Sequence, residues 1–232
     1  VLSAVVGLDR RGLHRAQAEL MRRQLAQSRG EWRAVLPHAL ANRLAKRALE
    51  NIPVDAINAE LLKPENLRLF VSCAHRLGYL HDFGPAVRMA NSWVSPGGPL
   101  HDIGSCNEGT LSALLYIAPV FPETVLQLIE NAATKPGFAS RENRNFRLFV
   151  RLLHQLAYDE DKFDRAATVM LKFSEAEKSG ENRDSIVGQM RHLFSLHLSG
   201  TLARPERRCA FVSKLLESGT ERHREIAAEL FH

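Results

Sequence analysis

Eight residues of this chain recur in order at one fixed distance, and that recurrence limits the architectures open to it. Arg68-Leu69-Phe70-Val71, with His75, Leu77, Tyr79 and Asp82, returns as Arg147-Leu148-Phe149-Val150 with His154, Leu156, Tyr158 and Asp161, at an offset of 79 residues. Just afterwards the offset becomes 80, where Phe83 and Ala86 align with Phe163 and Ala166, so one residue is inserted at a turn. Self-similarity at a fixed offset marks stacked supersecondary units, none of which can bury its apolar face alone. The repeat covers residues 68–94 and 147–174, and 232 residues suffice for a sizeable core or an elongated stack.

Nearly every segment carries helical periodicity, and none alternates convincingly as a strand. An amphipathic, highly charged helix is predicted over 8–28 and stopped by Gly30. A second is predicted over 31–51, with Trp32, Val35, Leu36, Leu40, Leu44 and Ala48 on one side and Pro37 in its first turns. Pro53 and Pro64 bracket a short helix. Helix pairs follow over 65–78 and 83–94, then over 107–118 and 122–133. The second repeat copy opens near Ser140, a candidate N-cap with Asn143 at the third position. A last set covers 182–198, 204–217 and 221–232, with Gly180, Gly200 and Gly219 at the breaks. Residues 95–105, with three glycines and two prolines, form the longest irregular stretch, a surface loop. These elements predict an all-α fold of about twelve helices in antiparallel hairpins, an α-solenoid of the tetratricopeptide or HEAT kind. Residues 1–52 read as a basic helical linker or cap, and 53–232 as the helical-repeat region.

Charge is distributed unevenly. Residues 1–50 hold ten Lys or Arg against four Asp or Glu, whereas the remaining 182 hold 21 against 22, so the whole net charge of +5 comes from the N-terminal part. Arg11, Arg15, Arg22 and Arg29, spaced 4, 7 and 7 apart, would line one side of a helix. Such a stripe is either a solvated face or a contact for phosphates or an acidic surface; no aromatic interleaves it, which argues against single-strand stacking. The apolar start, residues 1–6, is broken by Asp9-Arg10-Arg11, too short for a membrane span and lacking a signal-peptide layout. The expectation is a cytoplasmic protein without membrane contact. A start at Val1 and an end within a helical pattern at His232 point to a segment of something longer.

The constellations that carry chemistry are weak. Cys73, Cys106 and Cys209 are widely spaced, which favours neither a disulfide framework nor a zinc ribbon. His75 and His81 lie six apart, and His192 and His197 five apart, so neither pair has the i,i+4 spacing that places two imidazoles on one helical face. Cys73 with His75, or His81 with Asp82, lacks an identifiable third orienting group. No phosphate-loop pattern occurs, and Gly97-Gly98 follows no strand. Trp32 and Trp93 fall in apolar stripes and are expected in the core. The chain itself is therefore expected to be no enzyme and to hold no cofactor or metal.

Three stretches resemble a known family when taken together: residues 32–41 (WRAVLPHALA), residues 76–82 (RLGYLHD) followed by 117–123 (IAPVFPE), and residues 193–201 (LFSLHLSGT) with Arg207 or Arg208 after them. In that order they are similar to the helical region following the nucleotide-binding module in large bacterial STAND-type NTPases, a group that includes antiviral defence proteins. The resemblance spans roughly residues 30–217 and rests on helical rather than catalytic motifs. It implies a sensor or coupling segment that binds a foreign, for example phage, protein, with the ATPase, the effector and the oligomerising surfaces outside this chain. No Walker motif lies within it, so no nucleotide-binding residue carries over. Two other readings stand beside this one: a free-standing helical-repeat interaction scaffold, and a nucleic-acid-binding helical protein led by Arg11, Arg15, Arg22 and Arg29.

Overall fold

The computed structural model describes residues 2–30, 32–177, 185–217 and 220–231. Val1, Glu31, Gly180, Asn182, Gly219 and His232, which the sequence placed at element boundaries, lie outside them. The fold is all-α, with 66% of it helical. It divides into two compact units: residues 1–100 with 112–120, and residues 101–111 with 121–232.

The first unit opens with α1 (Leu2–Val6) and α2 (Arg10–Arg22). Asp9 caps α2 by accepting the Gly12 N–H at 2.7 Å. The chain then departs from the helical expectation. Strands β1 (Ala26–Arg29) and β2 (Trp32–Val35) pair antiparallel, with Ala26 opposite Val35 and Arg29 opposite Trp32. Two local features decide this. Gly30 takes φ +59°, which suits a tight hairpin tip. Pro37 has no N–H to give a helix and disfavours helical backbone at Leu36, so α3 (His38–Asn51) begins only after it. Trp32 is half-buried rather than in the core, with the Arg68 guanidinium 4.1 Å above its ring.

After α4 (Val54–Leu61), a short 3-10 turn leads into α5 (Leu67–Gly78) and α6 (Gly84–Val94), the first repeat copy. Among the described side chains before Leu61 none is fully buried, so the core of this unit is built by α5, α6 and the end of α7 (Glu108–Ile117). Phe70 and Trp93 lie at its centre, ring centroids 4.6 Å apart. Trp93 is completely buried, and its Nε1–H donates to Asn58 Oδ1 at 2.9 Å. The irregular stretch 95–105 is tethered rather than free: Leu100 is 0% and Ile103 2% exposed, and Leu100 N–H donates to Trp93 O at 2.8 Å.

The second unit contains α8 (Pro122–Ala132), α9 (Phe146–Leu156), α10 (Glu160–Glu175), α11 (Ile186–Phe194), α12 (Pro205–Glu217) and α13 (Glu221–Leu230). Ser140 does not cap α9. Its hydroxyl accepts the Glu142 N–H at 3.2 Å within a string of turns, and α9 starts after Asn145, whose own N–H is taken by Asn143 Oδ1 at 3.0 Å. The central helix is α10, packed against α8, α9 and α11. Repeat-equivalent positions do equivalent work: Phe70 and Phe149, Leu77 and Leu156, and Ala86 and Ala166 are all buried, while Tyr79 and Tyr158 are both exposed. Trp93 corresponds to Phe173, and where Trp93 touches Phe70 directly, Phe138 bridges Phe149 and Phe173 at 4.6 and 5.8 Å. Across α8 and α10, Arg165 pairs with Glu130 through Nε at 2.8 Å and Nη2 at 2.6 Å, a side-on fork.

No described helix is long and apolar enough to cross a membrane.

Candidate functional site

The arginines singled out by spacing do not share one helix. Arg11, Arg15 and Arg22 lie exposed on α2, but α2 ends at Arg22 and Arg29 belongs to β1, its side chain outside the described residues. Arg22 is held by Glu19 at 2.8 Å, and the neighbouring Arg23 pairs with the same carboxylate at 2.5 Å. Arg10, Arg11 and Arg15 make no ion pair among the described residues and border a shallow depression with Asp9 and His14.

A more enclosed site lies in the second unit, between α11, the segment after it, and α12 and α13. It is a cavity of about 650 Å³, within the range of ligand pockets. Its walls include Phe194, Leu196, Val212, Leu230 and Phe231; Arg191, His192 and His197 stand at its mouth, and Arg208 lines it from α12. Among the described residues no carboxylate lines it. His192 and His197, unremarkable by spacing, are brought to one cavity because α11 ends at Phe194 and the chain turns there.

The geometry of Arg208 decides the character of the cavity. It follows the pattern Arg208, Phe211, Val212 and Leu215, an arginine on the buried stripe of α12, and is only 6% exposed. One guanidinium nitrogen, Nη1, donates to the Ser195 carbonyl. The buried Nε has no partner among the described residues. A buried donor without an acceptor costs about 1–3 kcal/mol. The stripe itself was a legible signal for this residue, since an arginine at an apolar helical position is rarely buried without a reason.

The segment 195–204, of which Ser195, Leu196 and His197 line the cavity, is pinned to the helices beneath it. Thr201, 5% exposed, donates its hydroxyl to Ala157 O at 2.6 Å and accepts the Ala203 N–H at 3.0 Å. Leu202 N–H donates to Tyr158 O at 2.8 Å and Gly200 N–H to His192 O at 2.7 Å. Gly200 sits so close to His154 that a Cβ there would lie 3.3 Å from Cε1 of the ring. Leu198, fully exposed, takes φ +51°, a conformation disfavoured for leucine. Thr201→Val, which keeps the shape and removes the hydroxyl, is expected to cost about 1–3 kcal/mol in chemical denaturation. It should also increase amide exchange over 195–204, and unchanged exchange there would mean that other contacts hold the wall.

Burial, and secondarily the neighbouring His192, hold the His154 imidazole below its ordinary value of 6.5. Burial likewise lowers His75, which stacks 4.4 Å from the Tyr116 ring. A histidine depressed in the folded state contributes stability that is complete above its unfolded pKa and is lost as the pH falls below it. The thermal midpoint should therefore drop as the pH is taken from 7 to 5, and His154→Gln should flatten that drop. A slope identical in the variant would assign the effect elsewhere. Cys73 does not provide a thiolate for His75: burial pushes its thiol up to about 12.

With these sites placed, the chain can be set against known proteins. No protein-family model, curated protein or solved structure matches it.

Proposed function

We propose that this chain is the non-catalytic helical-repeat sensor and coupling segment of a large bacterial STAND-type NTPase, working in the cytoplasm. It binds a protein ligand, such as a phage protein, and relays that event to ATPase and effector modules outside its 232 residues. The observation that supports a binding role is the α11–α13 cavity: apolar walls, a cationic mouth, and a buried arginine with an unused donor. The three helical stretches quoted above support the family. Stacked hairpins of an α-solenoid suit both tasks, because repeats present long recognition surfaces and pass displacements between neighbours. Relay requires that the ligand bind two states of the whole protein with different affinity.

The test is a phage challenge of cells expressing the full-length protein, wild type against Leu196→Glu. Leu196 is 75% exposed at the cavity mouth, so the substitution should leave folding intact. Restriction of at least one phage by the wild type, and its loss in the variant, is the expected result. Restriction that persists undiminished in the variant would remove the cavity from ligand recognition, and a panel in which nothing is restricted would count against antiviral sensing.

Arg10, Arg11 and Arg15, without an ion pair among the described residues, favour a second reading, contact with nucleic acid. Three phosphate contacts would give a log–log salt slope of about −3 for duplex DNA, and Arg11→Glu with Arg15→Glu should then flatten it by about two units. Under the leading reading DNA binding is weak and the double variant leaves the phage phenotype unchanged.

A further inference from the structure

A row of exposed side chains runs along α9, apart from both the α11–α13 cavity and the arginines of α2. Arg144 precedes the helix, Arg147, Arg151 and Gln155 stand on it, and Tyr158 follows its end, all of them exposed. Spacings of 3, 4, 4 and 3 residues keep them on one side of a helix. We propose that this row binds single-stranded nucleic acid, with the arginines on phosphates and a base stacked on the Tyr158 ring. Guanidinium groups match phosphate oxygens in pairs and stay charged at every working pH. From Arg147 to Tyr158 the row runs roughly 16 Å at the helical rise, a line suited to a strand charged at regular intervals.

The repeat shows that the helix hairpin itself does not require this row. At the aligned positions the first copy has Glu65, Arg68, Ser72, Arg76 and Tyr79. There the Arg68 guanidinium lies 4.1 Å over the Trp32 ring and Arg76 donates to Asn42 Oδ1, so both arginines serve the packing of their own unit, and Tyr79 stands 5.2 Å from His75. In the second copy Arg144 and Arg151 stand where the first has an acid and a hydroxyl, and neither makes an ion pair or hydrogen bond among the described residues. The Tyr158 ring is 51% exposed and has no ring contact among the described residues. The acids that follow it are engaged, Asp159 by Lys162 and Glu160 by Arg204, each at 3.1 Å. Arginines tracking a backbone with an aromatic platform beside them are the combination that single strands use, because every base offers a face to stack. An acidic peptide would engage the arginines and leave the tyrosine idle.

The experiment follows the anisotropy of a labelled oligothymidine titrated with the whole chain, beside its duplex with oligoadenine and a polyglutamate peptide of equal charge. The single strand should bind at least about fivefold more tightly than the duplex, with a log–log salt slope of about −2 for three phosphate contacts. Arg144→Glu with Arg151→Glu should weaken single-strand binding at least tenfold and flatten the slope. Tyr158→Ala should remove the preference over duplex and leave the slope as it is, which keeps the test valid if the charge reversal disturbs α9. Arg11→Glu with Arg15→Glu should leave single-strand binding unaltered. Equal binding of single strand and duplex, or binding that persists in the Arg144 and Arg151 double variant, overturns the inference. So does a loss confined to the Arg11 and Arg15 double variant, which would assign nucleic acid to α2. Polyglutamate binding as tightly as the oligonucleotide overturns it in favour of an acidic protein partner, and absence of binding by every probe overturns it outright.

Discussion

Trp93→Ala is expected to remove about 3–5 kcal/mol of stability, enough to lower the thermal midpoint by roughly 10 °C or more. The ring is completely buried, packs 4.6 Å from Phe70, and holds Asn58 through Nε1, so truncation leaves both a cavity and an unpaired acceptor. Against a typical total of about 5–15 kcal/mol the loss is a large fraction. Trp93→Phe, which copies the repeat-equivalent Phe173, should cost much less. Circular dichroism melting of both variants checks this, and a shift under about 3 °C for the alanine variant would mean that the first unit does not depend on this pair.

Phe163→Ala is the corresponding test of the second unit. Phe163 is fully buried and contacts Phe194 at 5.5 Å and Phe211 at 6.2 Å, which contact each other at 5.5 Å. Loss of the shared ring should again cost about 3–5 kcal/mol by denaturant titration. Because Phe194 also forms the cavity wall, the variant should show faster amide exchange along α11. A destabilisation below about 1 kcal/mol, or unchanged exchange in α11, would separate the aromatic cluster from the site.

The repeat carried most of what was legible. Phe70, Leu77 and Ala86 predicted the burial of Phe149, Leu156 and Ala166 because helical periodicity records which face is apolar, and those faces are internal to hairpins of adjacent helices. Strands β1 and β2 were not legible because Trp32, Val35 and Leu36 fit a helical stripe by spacing, while the deciding terms are a left-handed Gly30 and the restriction that Pro37 places on Leu36. Such turn chemistry is local and weak until the chain is closed. Ser140 failed as a cap for a related reason: its hydroxyl found a turn N–H nearer than the helix.

The cavity was less legible. Arg208 could be picked out on an apolar stripe, but its partner Ser195 lies in a segment whose path is set by Thr201 reaching Ala157, a contact 44 residues apart. Spacing gave prominence to Arg11, Arg15, Arg22 and Arg29 instead, since it detects charges on one helix and not cations gathered by tertiary turns.

The most direct test of the central claim is the sequence of the intact coding region from the source genome. The account predicts a nucleotide-binding module with a Walker motif, and an effector domain, upstream of Val1 in the same reading frame. A start codon close to Val1 and a stop close to His232 would contradict it and leave a free-standing helical protein.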